Sequence, residues 1–186
     1  LVRTRDAVVF GLAKLAESRD PDTGHHLERI ALYSTKLAAA LRRDRRYRDV
    51  ISPAFARSIG ISSALHDIGK VGVPDSILLK PGALTDDEWQ VMRRHDRVGV
   101  EIVDASFGTA KLTAVVASHS AHYGGTDHNS SLPIGADSPL GSRILAIADA
   151  YDSMVSDRVY RKGRSPEQAF AELRRCAGSQ FDPELV

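Results

Sequence analysis

Apolar residues recur every three or four positions in one segment of this chain after another, and nowhere do they alternate with polar residues over a useful length. That restricts the fold to helices whose apolar stripes must find one another. A period near 3.6 gathers residues on one helix face, whereas a half-buried strand needs a period of two. From Arg3 to Glu17, Val8, Val9, Leu12, Leu15 and Ala16 trace one stripe, and Asp20-Pro21-Asp22-Thr23-Gly24 then reads as a loop. A second helix runs to about Leu41 on Leu27, Ile30, Ala31, Ser34, Leu37, Ala38 and Leu41. His26 stands in its first turn, where Asp22, His26 and Arg29 can look toward one place.

Pro53 opens a third helix at a favoured first-turn position and carries Phe55, Ile59, Ile61 and Leu65 down to His66. There the apolar segment stops at Ala64-Leu65-His66-Asp67-Ile68-Gly69-Lys70. Neighbouring His and Asp can offer one metal an imidazole and a carboxylate while the second carboxylate oxygen reaches another metal. Gly69 permits a sharp exit, and Lys70 follows within reach of a bound anion. Pro74, Pro81 and Gly82 mark an irregular connection around the short insert Ile77 to Leu79.

Thr85-Asp86-Asp87-Glu88 has the capping-box pattern, and Trp89, Met92, His95, Val98, Gly99, Ile102 and Val103 follow at helical spacing, with His95 on the apolar face. Lys111 to His119 reads as a buried helix ending in a glycine-rich stretch that holds His119, His122 and His128. For His122 and His128, a metal role and plain loop exposure both stand. Leu140 to Val155 is a strongly apolar helix containing Asp149 and Asp152, and a carboxylate at Asp149 requires a partner there. Ser165, Pro166 and Gln168 start a last helix whose Phe170, Leu173 and Cys176 face inward before Gly178 stops it. No internal repeat is visible, so the expectation is a single, non-repetitive all-α domain over residues 1–186, cut from a longer protein.

Composition narrows the function. The 25 Lys and Arg residues against 24 Asp and Glu leave a net charge of +1, which argues against general nucleic-acid binding. The cluster of Arg42, Arg43, Arg45, Arg46 and Arg48 is interrupted by Asp44 and Asp49 and reads as a solvated helix end. A lone Cys176 excludes an intrachain disulfide and a Cys-rich zinc site. No apolar run approaches the ~20 residues that span a bilayer, so the cytoplasm is the expected compartment.

Collected from separate helices, His26, His66, Asp67, His95, His119 and Asp149 each lie at a helix end or on an apolar face, as imidazoles and carboxylates do in the metal sites of helical bundles. With these residues the chain resembles the HD-GYP subgroup of the HD phosphohydrolase superfamily. The likeness covers nearly the whole chain. It is carried by Arg19 to His26, Leu65 to Asp75, Leu79 to Gly82, Met92 to His95, Arg143 to Asp152, Ser156 to Arg158 and Phe181 to Pro183.

The resemblance implies a metal-dependent phosphodiesterase of cyclic di-GMP in bacterial second-messenger signalling. It assigns a first metal to His26, His66, Asp67 and Asp149, with Asp67 bridging to a second held by His95 and His119. The metals would be two divalent transition ions, iron or manganese. Lys70 would stabilise charge at the phosphate or donate a proton, with Asp67 beside it as a catalytic group. Arg158 and Arg161 match positions that grip phosphate oxygens. Receiver or sensor domains, signalling proteins and a second copy of the chain are compatible partners.

The chain also departs from that family. Ser120 stands where the family has the second residue of a His-His pair, and Asp127-His128-Asn129 occupies the Gly-Tyr-Pro position. Ala121 replaces an acidic residue, and Gly124-Gly125 replaces Asp-Gly. Asp22 falls where some members use a longer glutamate for a third metal, and His122 or His128 could substitute for the missing imidazole. Two further readings stay open: a catalytically degenerate module that senses a nucleotide or docks a protein, and hydrolysis of another nucleotide phosphoester.

Overall fold

In the computed structural model, residues 2–19, 25–107, 110–125, 132–157 and 162–186 are described. Helices account for the regular structure among them: α1 (Val2–Glu17), α2 (His26–Leu41), α3 (Arg45–Arg48), α4 (Pro53–Leu65), α5 (Asp75–Leu78), α6 (Asp86–Met92), α7 (Arg94–Phe107), α8 (Ala110–Ala117), α9 (Leu140–Val155) and α10 (Pro166–Arg175). Short 3-10 turns occupy Ile68–Gly72 and Gly135–Asp137. No strand ladder forms among the described residues, where one isolated bridge joins Ala177 and Phe181. The all-α expectation therefore holds.

Helix α2 packs on α4 and α9, α7 packs on α8 and on the 68–72 turn, and α10 closes over α9. One core cluster gathers Ile51, Ile59, Ile144, Leu173 and Phe181, and a second gathers Val9, Leu27, Leu65, Val103 and Val116. Ile30, Val115, Leu145 and Ala148 lie in a third cluster. The inner face foreseen for α2 is the buried one, with Leu27, Ile30, Ala31, Ser34 and Ala38 enclosed. Capping boxes form at Thr85–Glu88 and at Ser165–Gln168. Each satisfies two backbone donors that a helix start leaves without partners.

Tertiary structure overrides the sequence pattern at several places. The stretch from Asp86 to Phe107 is two helices broken at Arg93, not one. The Met92 carbonyl, which a continuous helix would pair with the Asp96 N–H, instead accepts from His95 Nδ1 at 2.7 Å, and Asp96 N–H turns to the Arg93 carbonyl at 3.3 Å. Trp89 and Phe170, assigned inward by spacing, are 45% and 47% exposed. Ala169 is buried next to Phe170, which lays its ring against Tyr151 at 5.3 Å. Asp149 is not the enclosed carboxylate of α9; Asp152, 1% exposed, takes that place.

Gly69 is required for close approach and not for a turn. Among the described residues it is not one of the glycines with positive φ, but a β-carbon on it would overlap the His95 carbonyl oxygen and the Gly99 amide. Its absence lets the 68–72 turn lie directly on α7. Arg19 secures the other side, donating to the carbonyls of Lys70 at 3.3 Å, Val71 at 3.0 Å and Val73 at 2.9 Å. Arg143 similarly ties α9 to the C-terminal segment through Asp182, while its Nε donates to the Ser138 carbonyl just before the helix.

Candidate metal centre

Three histidines reach the centre by the same local device. The last carbonyls of a helix lack intrahelical partners. His66 Nδ1 bonds the Ser63 carbonyl at the end of α4, His95 Nδ1 that of Met92 at the end of α6, and His119 Nδ1 that of Val116 at the end of α8, each at 2.7 Å. A carbonyl only accepts, so in each ring Nδ1 carries a proton and Nε2 is directed into the site as the potential ligand atom.

His26 is held differently. Its Nδ1 lies 2.7 Å from Asp152 Oδ2, leaving Nε2 3.6 Å from Asp149 Oδ1. Arg29 grips the same carboxylate through Nε at 2.6 Å and Nη2 at 2.9 Å, and its Nη2 also reaches Ser156 Oγ at 3.0 Å. Burial disfavours charge on Asp152, but His26 and Arg29 outweigh it and lower its pKa.

The six residues collect into two groups, His26, His66 and Asp149 in one and Asp67, His95 and His119 in the other, each with donor atoms within 4.8 Å of one another. Asp67 lies between them. Its Oδ1 is 3.3 Å from His95 Nε2 and 3.5 Å from His119 Nε2, while Oδ2 is 3.2 Å from His66 Nε2 and 2.7 Å from Lys70 Nζ. His95 Nε2 and His119 Nε2 are themselves 3.4 Å apart. Burial works against charge on Asp67, yet His66 and Lys70 beside it hold its carboxyl well below the usual carboxylate range. Burial likewise works against the His66 imidazolium, but Asp67 prevails and pushes its pKa up to about 9. His95 is raised against burial by the same carboxylate.

This donor set fits divalent transition ions. Imidazole nitrogens and carboxylate oxygens without thiolate suit iron, manganese or zinc. Ligands at right angles around an ion with ~2.1 Å bonds stand about 3 Å apart, near the 3.3, 3.4 and 3.5 Å separations in the second group. A cavity of about 540 Å³ opens over both groups, with Lys70, Trp89, Met92, Ser120, His122 and Ser153 in its wall. That volume lies within the range of small-molecule sites, about 300–1,000 Å³.

His122 thus borders the site, whereas Asp22, His128, Arg158, Arg161 and the 127–129 loop lie outside the described residues. Three residues with no role assigned from sequence emerge. Asp152 orients His26, and its place one helical turn after Asp149 was the available signal. Glu17, 6% exposed at the end of α1, lies close enough to feel the charges of His26 and His66. Asp96, 8% exposed, adjoins His95 and accepts from Ser120 Oγ at 2.9 Å. Nothing in the apolar period distinguishes it.

The sequence profile described as HD domain matches residues 12–185. The chain is 44% identical over 194 residues to a Vibrio cholerae protein named probable cyclic di-GMP phosphodiesterase, an alignment covering 100% of this chain and 44% of that one. It is 37% identical over 188 residues to a 3'3'-cGAMP-specific phosphodiesterase of the same organism, covering 100% and 34%. The chain therefore spans less than half the length of these relatives. The crystal structure of a cyclic GMP-AMP specific phosphodiesterase of V. cholerae superposes with a TM-score of 0.71 at 14% identity, covering 97% of this chain and 46% of that one, which shows a shared fold.

Proposed function

The chain belongs to the HD domain family, and on that premise we propose that it is a metal-dependent phosphodiesterase that opens cyclic di-GMP to its linear dinucleotide. The observation that carries this reading is Asp67, whose two oxygens face two separate imidazole-containing groups beneath one cavity. In this reading His26, His66, Asp67 and Asp149 hold one divalent ion and Asp67, His95 and His119 a second, iron or manganese by their ligand chemistry. When bound, such a pair supplies Lewis acidity toward the phosphodiester and lowers the pKa of the attacking water.

The chain's own residues complete the chemistry. Water oxygen bonds to phosphorus, the phosphorus–ester oxygen bond breaks, and the departing ribose oxygen takes up a proton. Lys70 Nζ, 2.7 Å from Asp67 Oδ2 in the cavity wall, places a positive charge beside the position of the phosphate. His26, oriented by Asp152, and the three carbonyl-anchored histidines keep Nε2 aimed inward without reorganisation. Arg158 and Arg161 are assigned to the phosphate by resemblance alone. The domain works within a longer signalling protein, in keeping with the length of its relatives.

A relative specific for 3'3'-cGAMP favours a second substrate reading, a mixed cyclic dinucleotide. Anaerobically purified protein, assayed for metal content and then with cyclic di-GMP and 3'3'-cGAMP separately, tests both. Two ions per chain and a linear product from cyclic di-GMP support the proposal. Faster opening of 3'3'-cGAMP transfers it to that substrate. Bound metal with no turnover of either overturns it and leaves a nucleotide-sensing or docking module.

A further inference from the structure

Asp96 occupies the third position of α7 and is buried against the second group of donors. Its Oδ2 accepts from Ser120 Oγ at 2.9 Å. Its Oδ1 is enclosed and receives no hydrogen bond, although it lies 3.1 Å from His95 Nε2 and 3.6 Å from His119 Nδ1. The protons of both rings are already committed at Nδ1 to the Met92 and Val116 carbonyls. Neither ring supplies the Asp96 Oδ1 atom with a hydrogen bond, although His95 Nε2 stands 3.1 Å from it. Asp67 Oδ1, His119 Nε2 and Asp96 Oδ1 thus gather around His95 Nε2 at 3.3, 3.4 and 3.1 Å. Buried acceptors carrying negative charge are tolerated when a cation joins them.

We propose that Asp96 is a further ligand of the ion held by Asp67, His95 and His119, and that the Ser120 hydroxyl holds it in place. The inference rests on the reading of those three residues as metal ligands. Asp96 is not among the donors that lie mutually within 4.8 Å, so its part is to turn Oδ1 inward from beside His95 when the ion binds. This gives Ser120 a purpose. At the position where an imidazole is missing from the expected pair, a hydroxyl positions a carboxylate from the neighbouring helix, and the site keeps its donor number with one neutral ligand exchanged for an anionic one.

The test is titration of the metal-free protein with Mn²⁺ alone, by chelator competition, for the parent, Asp96→Asn, Ser120→Ala and the double variant Asp96→Ala with Ser120→His. The expected result is two ions in the parent, with the second bound at least tenfold more weakly in Asp96→Asn while the first is unchanged. Ser120→Ala weakens the second ion less, and the double variant recovers it. The inference is overturned if Asp96→Asn binds both ions within twofold of the parent, if it weakens both equally, or if the parent takes only one. Ser120→Ala, which removes no charge, serves where Asp96→Asn does not fold, and an unchanged second ion there also overturns it. Two Mn²⁺ ions with Asp96 dependence but no cyclic dinucleotide opened would sink the functional proposal and leave this one standing.

Discussion

Asp152 Oδ2 stands 2.7 Å from His26 Nδ1 and closes a chain that runs from Arg29 through a fully buried carboxylate to a ring aimed at Asp149. Such partners behind a ligand set its tautomer and orientation, and losing one typically lowers metal affinity about 10–100-fold. Asp152→Asn is expected to weaken the ion at His26, His66 and Asp149 by that factor and leave the other unaffected, read by metal titration. Asp152→Ala is expected to lower stability by about 2–3 kcal/mol, somewhat less than the roughly 3–5 kcal/mol for breaking a fully buried pair, because Arg29 is 33% exposed.

Lys70 touches Asp67 but is not a metal donor. Lys70→Met should keep two ions per chain and lower kcat for cyclic dinucleotide opening by about a hundredfold, the scale of removing one charge-stabilising donor. Loss of metal together with activity would show instead that Lys70 serves chiefly to hold Asp67.

Gly69→Ala places a methyl group where the His95 backbone already lies, so the 68–72 turn must lift from α7. A loss of about 1–3 kcal/mol in stability is expected. A larger relative loss of metal affinity should accompany it, because Asp67 and His95 separate. Thermal unfolding and metal content measured on the same preparation check both.

The metal-free protein holds a proton on His66 up to about pH 9. The folded pKa exceeds the unfolded value of 6.5, so the stabilisation this imidazolium brings is complete below about 6.5 and is lost as pH rises through about 9. An ion must displace that proton, so metal affinity should rise with pH and level off near 9. Calorimetric titrations in buffers of different ionisation heat should report proton release on binding at neutral pH. No release would contradict the assignment of His66 as a ligand.

Burial pushes the Glu17 carboxyl up to about 7, with His26 and His66 only partly offsetting it. An acid raised on folding keeps its proton in the native state while the unfolded chain loses it, so stability of the metal-free protein should fall between about pH 4.5 and 7 and stay low above. Glu17→Gln should remove that fall, making the variant more stable than the parent at pH 8 by about 1–3 kcal/mol. Denaturant midpoints at pH 5 and pH 8 provide the measurement.

Helix positions, the two capping boxes and the buried face of α2 were readable from local pattern, because each depends on residues within a few positions of one another. The six candidate ligands were readable because histidine and aspartate are out of place at apolar helix ends unless something satisfies them. The break at Arg93 was not, since it depends on a side chain competing for a helix carbonyl. Which α9 carboxylate is enclosed was not either, since Asp149 and Asp152 lie within one turn of each other and the facing His26 and Arg29 decide between them.

By itself, then, the sequence determined an all-helical chain and the residue types that can meet in a metal centre, through periodicity and the chemistry of individual side chains. Only the tertiary structure decided which partners each Asp67 oxygen faces and at what distance, that Gly69 brings it against His95, and that Asp96 lies beside that pair under the Ser120 hydroxyl. Those relationships join residues on different helices, and their spacing is set by how closely two backbones can approach, a quantity that no local pattern encodes.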